Sequence, residues 1–365
     1  MDDPLPARPR KGRGAVGNPT PRFDSESRVA IDDGWQLPPG LEEEEPPPLA
    51  TTVAIDNARS IIARNDSPDI PFEQSINPYR GCEHGCVYCF ARPTHAYLGL
   101  SPGLDFETRL FAKKAAPELL RQELQKPGYQ CKVIALGANT DPYQPIEREH
   151  RITRRVLEVL QEFAHPVGIV TKSTLVQRDI DILAPMAKQG LASVAISITT
   201  LDRELARRME PRAPTPPRRL DTIRALSEAG IPVSVLSSPM IPALNDHELD
   251  AILEAAREAG AVGAGYILLR LPLELTSLFE EWLETHVPGK AKHVMSLIRQ
   301  ARDGKTYRAE FGTRMKGTGP YAELLRRRFE AACQRLGLNE RRRALQLDTS
   351  RFRRPPQKGD QLKLL

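Results

Sequence analysis

Cys82, Cys86 and Cys89 stand in the run Asn77-Pro78-Tyr79-Arg80-Gly81-Cys82-Glu83-His84-Gly85-Cys86-Val87-Tyr88-Cys89, a Cys-x3-Cys-x2-Cys array. Three thiolates this close can hold three irons of a cubane cluster and leave the fourth without a protein ligand, whereas most clusters take four cysteines. An open position on a reducing cluster is a place for chemistry. The other two cysteines are isolated. Cys131 opens the strand-like run Gln130–Leu136 and Cys333 sits in a helix-like segment, and both read as small hydrophobes. A structural zinc site is the rival reading. It wants four ligands, and His84 or His95 could complete a Cys3His set. The odd, low cysteine count in a chain of 365 residues argues against a disulfide framework.

Gly81 and Gly85 let the backbone bend tightly around an inorganic core. Tyr88, just before the last cysteine, puts a ring where it would cover a group bound to the open iron. The pattern Cys82-x3-Cys86-x-Tyr88-Cys89 resembles the Cys-x3-Cys-x-aromatic-Cys signature of the radical S-adenosylmethionine (SAM) superfamily. Within it, four segments are similar to those of spore photoproduct lyase-like proteins and their bacterial relatives. They are Asn77–Cys82, Thr140-Asp141-Pro142-Tyr143-Gln144, Thr171-Lys172, and Glu210-Pro211-Arg212-Ala213-Pro214-x3-Arg218-Arg219-Leu220. Together they span about residues 70–275.

The resemblance implies a 4Fe-4S cluster on Cys82, Cys86 and Cys89, with SAM on its open iron. An external electron donor, flavodoxin- or ferredoxin-like, would reduce the cluster. Reductive cleavage of SAM would give a 5′-deoxyadenosyl radical that abstracts hydrogen from a substrate. By the same resemblance Lys172 and Ser197 contact SAM and Arg212 belongs to the cofactor or substrate wall. Placement adds the rest: Lys172 at a strand end would balance the SAM carboxylate, Tyr88 would cover the cofactor, and Asn139, Thr140 and Ser197 would meet its amino group, ribose and adenine, although any one of these three could instead be a helix cap. One departure stands out. The photoproduct lyases carry a hydrogen-donating cysteine in the loop after the second strand, and here that loop reads Gly137-Ala138-Asn139-Thr140-Asp141.

The elements that must position these residues follow from periodicity. Apolar runs at Ser75–Tyr79, Lys132–Leu136, Val167–Thr171, Ser193–Ile198, Pro232–Leu236 and Gly265–Leu269 predict six strands. Amphipathic segments at Arg151–Phe163, Asp179–Lys188, Arg218–Ala229 and Asp246–Ala259 predict the intervening helices, with Gly190, Gly230 and Gly260 past three of them as left-handed caps. Such alternation gives parallel strands with right-handed crossovers. An α/β fold results, either an open doubly wound sheet or a partial (β/α)6 TIM-like barrel. The pattern does not choose, and the resemblance implies the barrel. In both, reactive groups gather at the C-terminal strand ends. There the sequence turns polar, at Asn139-Thr140-Asp141, Lys172-Ser173, Ser197, Ser237-Ser238 and Arg270. Tyr143, Tyr266 and Met240 are further candidates for lining a pocket.

Around the barrel, residues 1–50 are rich in Pro, Gly, Arg and acidic residues and predict a disordered segment. Residues 276–340 predict a helical extension, with Leu275–His286, Ala291–Arg302 and Tyr321–Leu336 as helices and the glycine-rich stretch Phe311–Tyr321 as a lid or a plain connector. Residues 305–365 hold 16 Lys and Arg against 6 Asp and Glu, although the whole chain is only +5. The basic tail, 341–365, could meet a nucleic-acid phosphate backbone, and a solvated basic helix with a loose tail explains the same residues. At 40% hydrophobic the chain builds a core, and it shows no apolar run of the ~20 residues that span a bilayer. A cytoplasmic protein with no membrane contact is expected. Two readings follow: a radical SAM enzyme on a substrate the sequence leaves open, with DNA, RNA, a peptide and a small metabolite all fitting an open barrel, or a zinc- or cluster-stabilised nucleic-acid-binding protein without catalysis.

Overall fold

The computed structural model describes residues 8–26, 48–340 and 346–356. Its strands are β1 (Thr52–Ile55), β2 (Ile62–Arg64), β3 (Gln74–Ile76), β4 (Tyr79–Arg80), β5 (Arg109–Ala112), β6 (Ile134–Leu136), β7 (Val167–Thr171), β8 (Ala192–Ser197), β9 (Val233–Met240) and β10 (Gly263–Leu268). One seven-stranded sheet has the order β10-β9-β8-β7-β6-β3-β2. From β3 to β10 its neighbours are parallel, and β2 pairs antiparallel with β3 at the edge. The parallel strands lie in chain order and never reverse. A doubly wound sheet needs a reversal at its switch point, so the strand order selects the partial barrel of six βα units.

The helices between these strands form where the apolar period predicts them: Ile152–Glu162, Ile180–Lys188, Pro216–Glu228 and Leu249–Glu258. The first buries Ile152, Val156, Leu157, Val159 and Leu160 on one face. Gly190, Gly230 and Gly260 take φ of 72°, 76° and 105° just past three helix ends, as a left-handed cap requires. β9 runs on to Met240. Its alternation of buried and half-buried residues continues through Ser237-Ser238-Pro239, so these serines belong to a strand rather than to a loop.

Beside the cysteine loop, a small sheet of order β1-β5-β4 fixes the entry to Cys82. Helices Leu275–His286 and Pro288–Gln300 pack Phe279, Trp282 and Met295 against Val16, Val87, Tyr88, Met209 and Leu271. They cover the rim of the barrel at the cysteines. The glycine-rich stretch spans the open side. Leu268 N donates to Met315 O at 2.9 Å on the β10 edge. Arg314 Nε and Gly312 N reach Asp69, in the loop between β2 and β3, at 2.5 and 2.7 Å.

Two expectations about the chain ends are corrected for the described residues. Arg13–Gly17 are buried, not disordered. Gly14 and Ala15 N–H donate to the Glu107 carboxylate at 2.9 and 2.8 Å, and Gly17 N–H to Glu281 at 3.0 Å. Composition counts only the apolar surface a segment owns, whereas this one is held by carboxylates elsewhere. The rest of that expectation, residues 1–7 and 27–47, lies outside the described residues.

The basic C-terminal arginines largely face this chain's own oxygens. Arg326 pairs with Glu323 and Glu330, Arg328 with Asp250, and Arg335 with Glu254. Phe352 lies among Tyr129, Phe163 and His165, at 5.5, 6.3 and 5.5 Å between ring centres. Arg354 donates to the carbonyls of Leu124, Lys126 and Pro127, in and just past the last turn of helix Ala116–Gln125. This part of the tail straps the N-terminal ends of β6 and β7, the opposite end from the cysteine loop. Residues 341–345 and 357–365 of the predicted tail lie outside the described residues. Among the described residues no helix is long and apolar enough to cross a membrane.

Candidate active site

The cysteine loop leaves the C-terminal end of β3 and is held by its own backbone and by buried polar side chains. Cys82 N donates to Phe106 O at 2.9 Å and Val87 N to Met209 O at 3.0 Å. Gln144 clamps the first turn, accepting from Glu83 N at 2.9 Å and donating to Gly81 O at 3.1 Å. Gly81 (φ 72°) and Gly85 (φ 69°) adopt the left-handed region. A Cβ on Gly81 would meet Leu110 at 2.6 Å, and one on Gly85 would meet Glu107 Oε2 at 2.6 Å, so both bends need glycine.

Behind the loop lies a fully buried arginine. Arg92 gives its guanidinium to the carbonyls of Cys86, Gly85, Pro102 and Gly103 and pairs with Glu107. The fork thus organises two cysteine-loop carbonyls, and its charge is balanced without water. Nothing in the sequence marks this pair except the short separation of two oppositely charged residues after the loop.

On the inner side, strand register brings the rim residues together. Thr171 pairs with Ile196 across β7 and β8, which puts Lys172 beside Ser197 one step beyond. Lys172 Nζ donates to Ser197 Oγ at 2.9 Å and lies 5.6 Å from the centre of the Tyr88 ring. Ser197 Oγ donates to Ser238 O at 3.2 Å. Tyr88 hydroxyl bonds Glu210 and meets Thr199 Oγ1 at 3.1 Å, and Glu210 also pairs with the buried Arg219. Glu210 and Arg219 therefore fix the Tyr88 ring, a role with no signal in the sequence beyond their place in the quoted Glu210–Leu220 segment.

Asn139 and Thr140 follow the C-terminal end of β6, on the same rim. Thr140 Oγ1 is engaged by Tyr79 O at 2.8 Å, and Asn139 N by Asn77 Oδ1 at 2.9 Å. Both hold the loop after β6. Arg212 lies on the cysteine loop itself. Its Nη2 pairs with Glu83 Oε1 at 2.9 Å and its N–H donates to His84 O at 3.3 Å. Asp141 is the hub joining these parts. It accepts from Thr171 Oγ1, Lys172 N and Tyr143 N and lies 3.3 Å from His84 Nδ1. Burial opposes its charge, but the His84 ring and these donors hold the carboxyl down at about 2.

The donor set fits an iron–sulfur cluster. All three thiols are unpaired, and Cys82 and Cys86 are buried. Burial pushes all three upward, while the Lys172 ammonium acts against this at Cys86 and Cys89. Three sulfurs on one tight loop beside a cation suit a cluster, whose irons would take up thiolate charge. Among the described residues no three His, Cys, Asp or Glu side chains are gathered around the position of a single metal ion. His84 Nδ1 lies 3.3 Å from Asp141, and His95 Nε2 meets Arg109 O at 2.9 Å while its buried Nδ1 has no hydrogen-bond partner.

Residues 76–256 match the profile of the Radical SAM superfamily. A protein of Mycobacterium tuberculosis, carrying no assigned activity in its name, is 39% identical over 233 residues, 63% of this chain and 68% of that one. A Methanocaldococcus jannaschii protein is 31% identical over 173 residues, 47% of this chain and 62% of that one. Spore photoproduct lyase in complex with dinucleoside spore photoproduct has the same fold, with TM-score 0.55 and 15% identity over 78% of this chain and 80% of that one. The chain belongs to the radical SAM superfamily, whose enzymes use a 4Fe-4S cluster and SAM.

Proposed function

We propose that Cys82, Cys86 and Cys89 hold the 4Fe-4S cluster through three irons and that SAM completes it on the fourth. The observation that carries this is the tight loop after β3: three unpaired thiols, with Lys172 Nζ 5.6 Å from the ring of Tyr88, the residue before Cys89, and its charge acting on Cys86 and Cys89. When bound, the cluster and SAM supply one-electron cleavage of a sulfonium carbon–sulfur bond and a nucleoside radical that abstracts hydrogen from a substrate. Lys172 offers its charge to the SAM carboxylate, and Ser197 and Thr199 offer hydroxyls beside it. The Tyr88 ring, fixed by Glu210, forms a wall next to the last cysteine. The buried N-terminal segment and helices Leu275–His286 and Pro288–Gln300 keep water from the loop. Electrons come from an external donor of flavodoxin or ferredoxin type.

A nucleic-acid substrate is the reading carried over from the photoproduct lyase fold. The lyase reaction is not carried over with it, because the loop Gly137–Asp141 has no thiol. Cys131 precedes β6 and so lies at the far end of that strand from the loop.

Anaerobic reconstitution tests the assignment. Wild-type protein is expected to be brown, with about four irons per chain, and to release 5′-deoxyadenosine from SAM with dithionite. The triple variant Cys82→Ala/Cys86→Ala/Cys89→Ala should lose both. Iron retained by that variant, or a colourless wild type with one zinc, overturns the proposal.

A further inference from the structure

At the C-terminal end of β10 stands a guanidinium that the fold leaves largely unused. Leu269 N donates to Met240 O at 2.9 Å, so the next residue, Arg270, projects from the same rim as Lys172 and Ser197. Arg270 Nε is buried without a hydrogen-bond partner. Nη1 meets only the Met315 thioether, at 3.3 Å, and Nη2 the Tyr307 hydroxyl, at 3.5 Å. The first is a weak acceptor and the second lies beyond the usual hydrogen-bond range. Among the described residues Arg270 has no ion-pair partner.

Its neighbours are committed. Arg302 donates to the carbonyls of Leu268, Leu269, Thr313 and Arg314. Arg212 pairs with Glu83, and Lys172 bonds Ser197. Asp69 is close enough to feel Arg270, yet its carboxylate is bonded to Arg314 and Gly312.

Two rings steady the Arg270 fork. Its guanidinium carbon lies 5.5 Å from the centre of Phe90 and 5.9 Å from that of Tyr307, within cation–π range. Phe90 directly follows Cys89 and is 45% exposed. The guanidinium therefore sits between the cysteine loop and Met315, on the bridge across the barrel's open side. A fork held by aromatic rings, with N–H donors in hand, suits bidentate capture of an oxyanion.

We propose that Arg270 anchors an anionic group of the substrate, a carboxylate or a phosphate, with the adjoining apolar or unsaturated part lying on Phe90. This rests on the radical SAM reading for where the substrate reacts, but it concerns binding and is measured without turnover.

Phenyl phosphate and benzoate carry an oxyanion on a ring, and inorganic phosphate and acetate carry one without. Each is titrated calorimetrically into cluster-loaded protein with SAM present. Saturable binding of at least one ring-bearing probe is expected, weakened at least tenfold in Arg270→Gln and partly restored in Arg270→Lys. Phe90→Leu should weaken that probe several-fold and leave its ring-free parent unchanged. The tighter of phenyl phosphate and benzoate identifies the anion. No saturable binding to wild type, equal binding to Arg270→Gln, or a loss confined to SAM affinity overturns the proposal. Failure of the cysteine assignment reads out differently, as missing iron in wild-type protein, and the Arg270→Gln comparison remains decisive on iron-free protein.

Discussion

A Cβ on Gly14 would overlap the carbonyl oxygen of Gly85. The N-terminal segment and the cysteine loop thus meet backbone to backbone, and Glu107 joins them by accepting from Gly14, Ala15 and Arg92. Gly14→Ala must push the two apart, a kind of overpacking that costs about 1–3 kcal/mol. Iron retained through gel filtration should fall at least twofold, and the brown colour should bleach faster in air. Gly128→Ala, where a Cβ meets nothing within 4 Å, should change neither. Full iron retention in Gly14→Ala would show that the segment is not part of the cluster's cover.

Lys172 is the cation at the cysteines' inner side. Lys172→Met removes a charge-assisted contact of about 1.5–3 kcal/mol, so SAM should bind roughly 10–100-fold more weakly. Iron content should hold, because Lys172 supplies no ligand. Equilibrium dialysis with labelled SAM checks the first expectation and iron analysis the second. Unchanged SAM affinity would remove Lys172 from the cofactor site.

Glu210 and Arg219 form a buried ion pair that also holds Tyr88. Glu210→Ala leaves the guanidinium buried against only the carbonyls of Ser197 and Pro214. Breaking such a pair costs about 3–5 kcal/mol. The urea midpoint of the iron-free protein should fall accordingly, and less in Glu210→Gln. A loss under about 1 kcal/mol would mean that the pair adds little beyond its own desolvation.

His165 couples the C-terminal strap to pH. Burial pushes its imidazole down from 6.5 to about 4, against the pull of Pro166 O. The unfolded chain therefore binds more protons than the folded one between these values. Stability is fully present above about 6.5, falls as pH drops through that window, and levels off below about 4. The span is about 3 kcal/mol. The difference in unfolding free energy between wild type and His165→Asn, followed from pH 7 to 4, should shrink with falling pH. A difference constant across the window would rule out His165 as its source.

The chain by itself determined the parts whose causes are local. Cysteine spacing with Gly81 and Gly85 describes a tight metal loop. Alternating periods place six strands and their helices, and polar residues at strand ends place Lys172 and Ser197 on one rim, because adjacent parallel strands in register bring equivalent ends together. Only the tertiary structure decided the rest. The strand order chose the barrel over a doubly wound sheet, since hydrophobic pattern specifies a strand but not its neighbour. The order of residues 13–17 is invisible in their composition because the amides of Gly14, Ala15 and Gly17 are bonded by Glu107 and Glu281, far along the chain. The tail's arginines looked free because their partners, such as Asp250 and the Leu124 carbonyl, lie on other elements. Arg270 shows the converse. Its charge is plain in the sequence, but only the folded chain shows that Asp69, a carboxylate that feels it, is already bonded to Arg314 and Gly312.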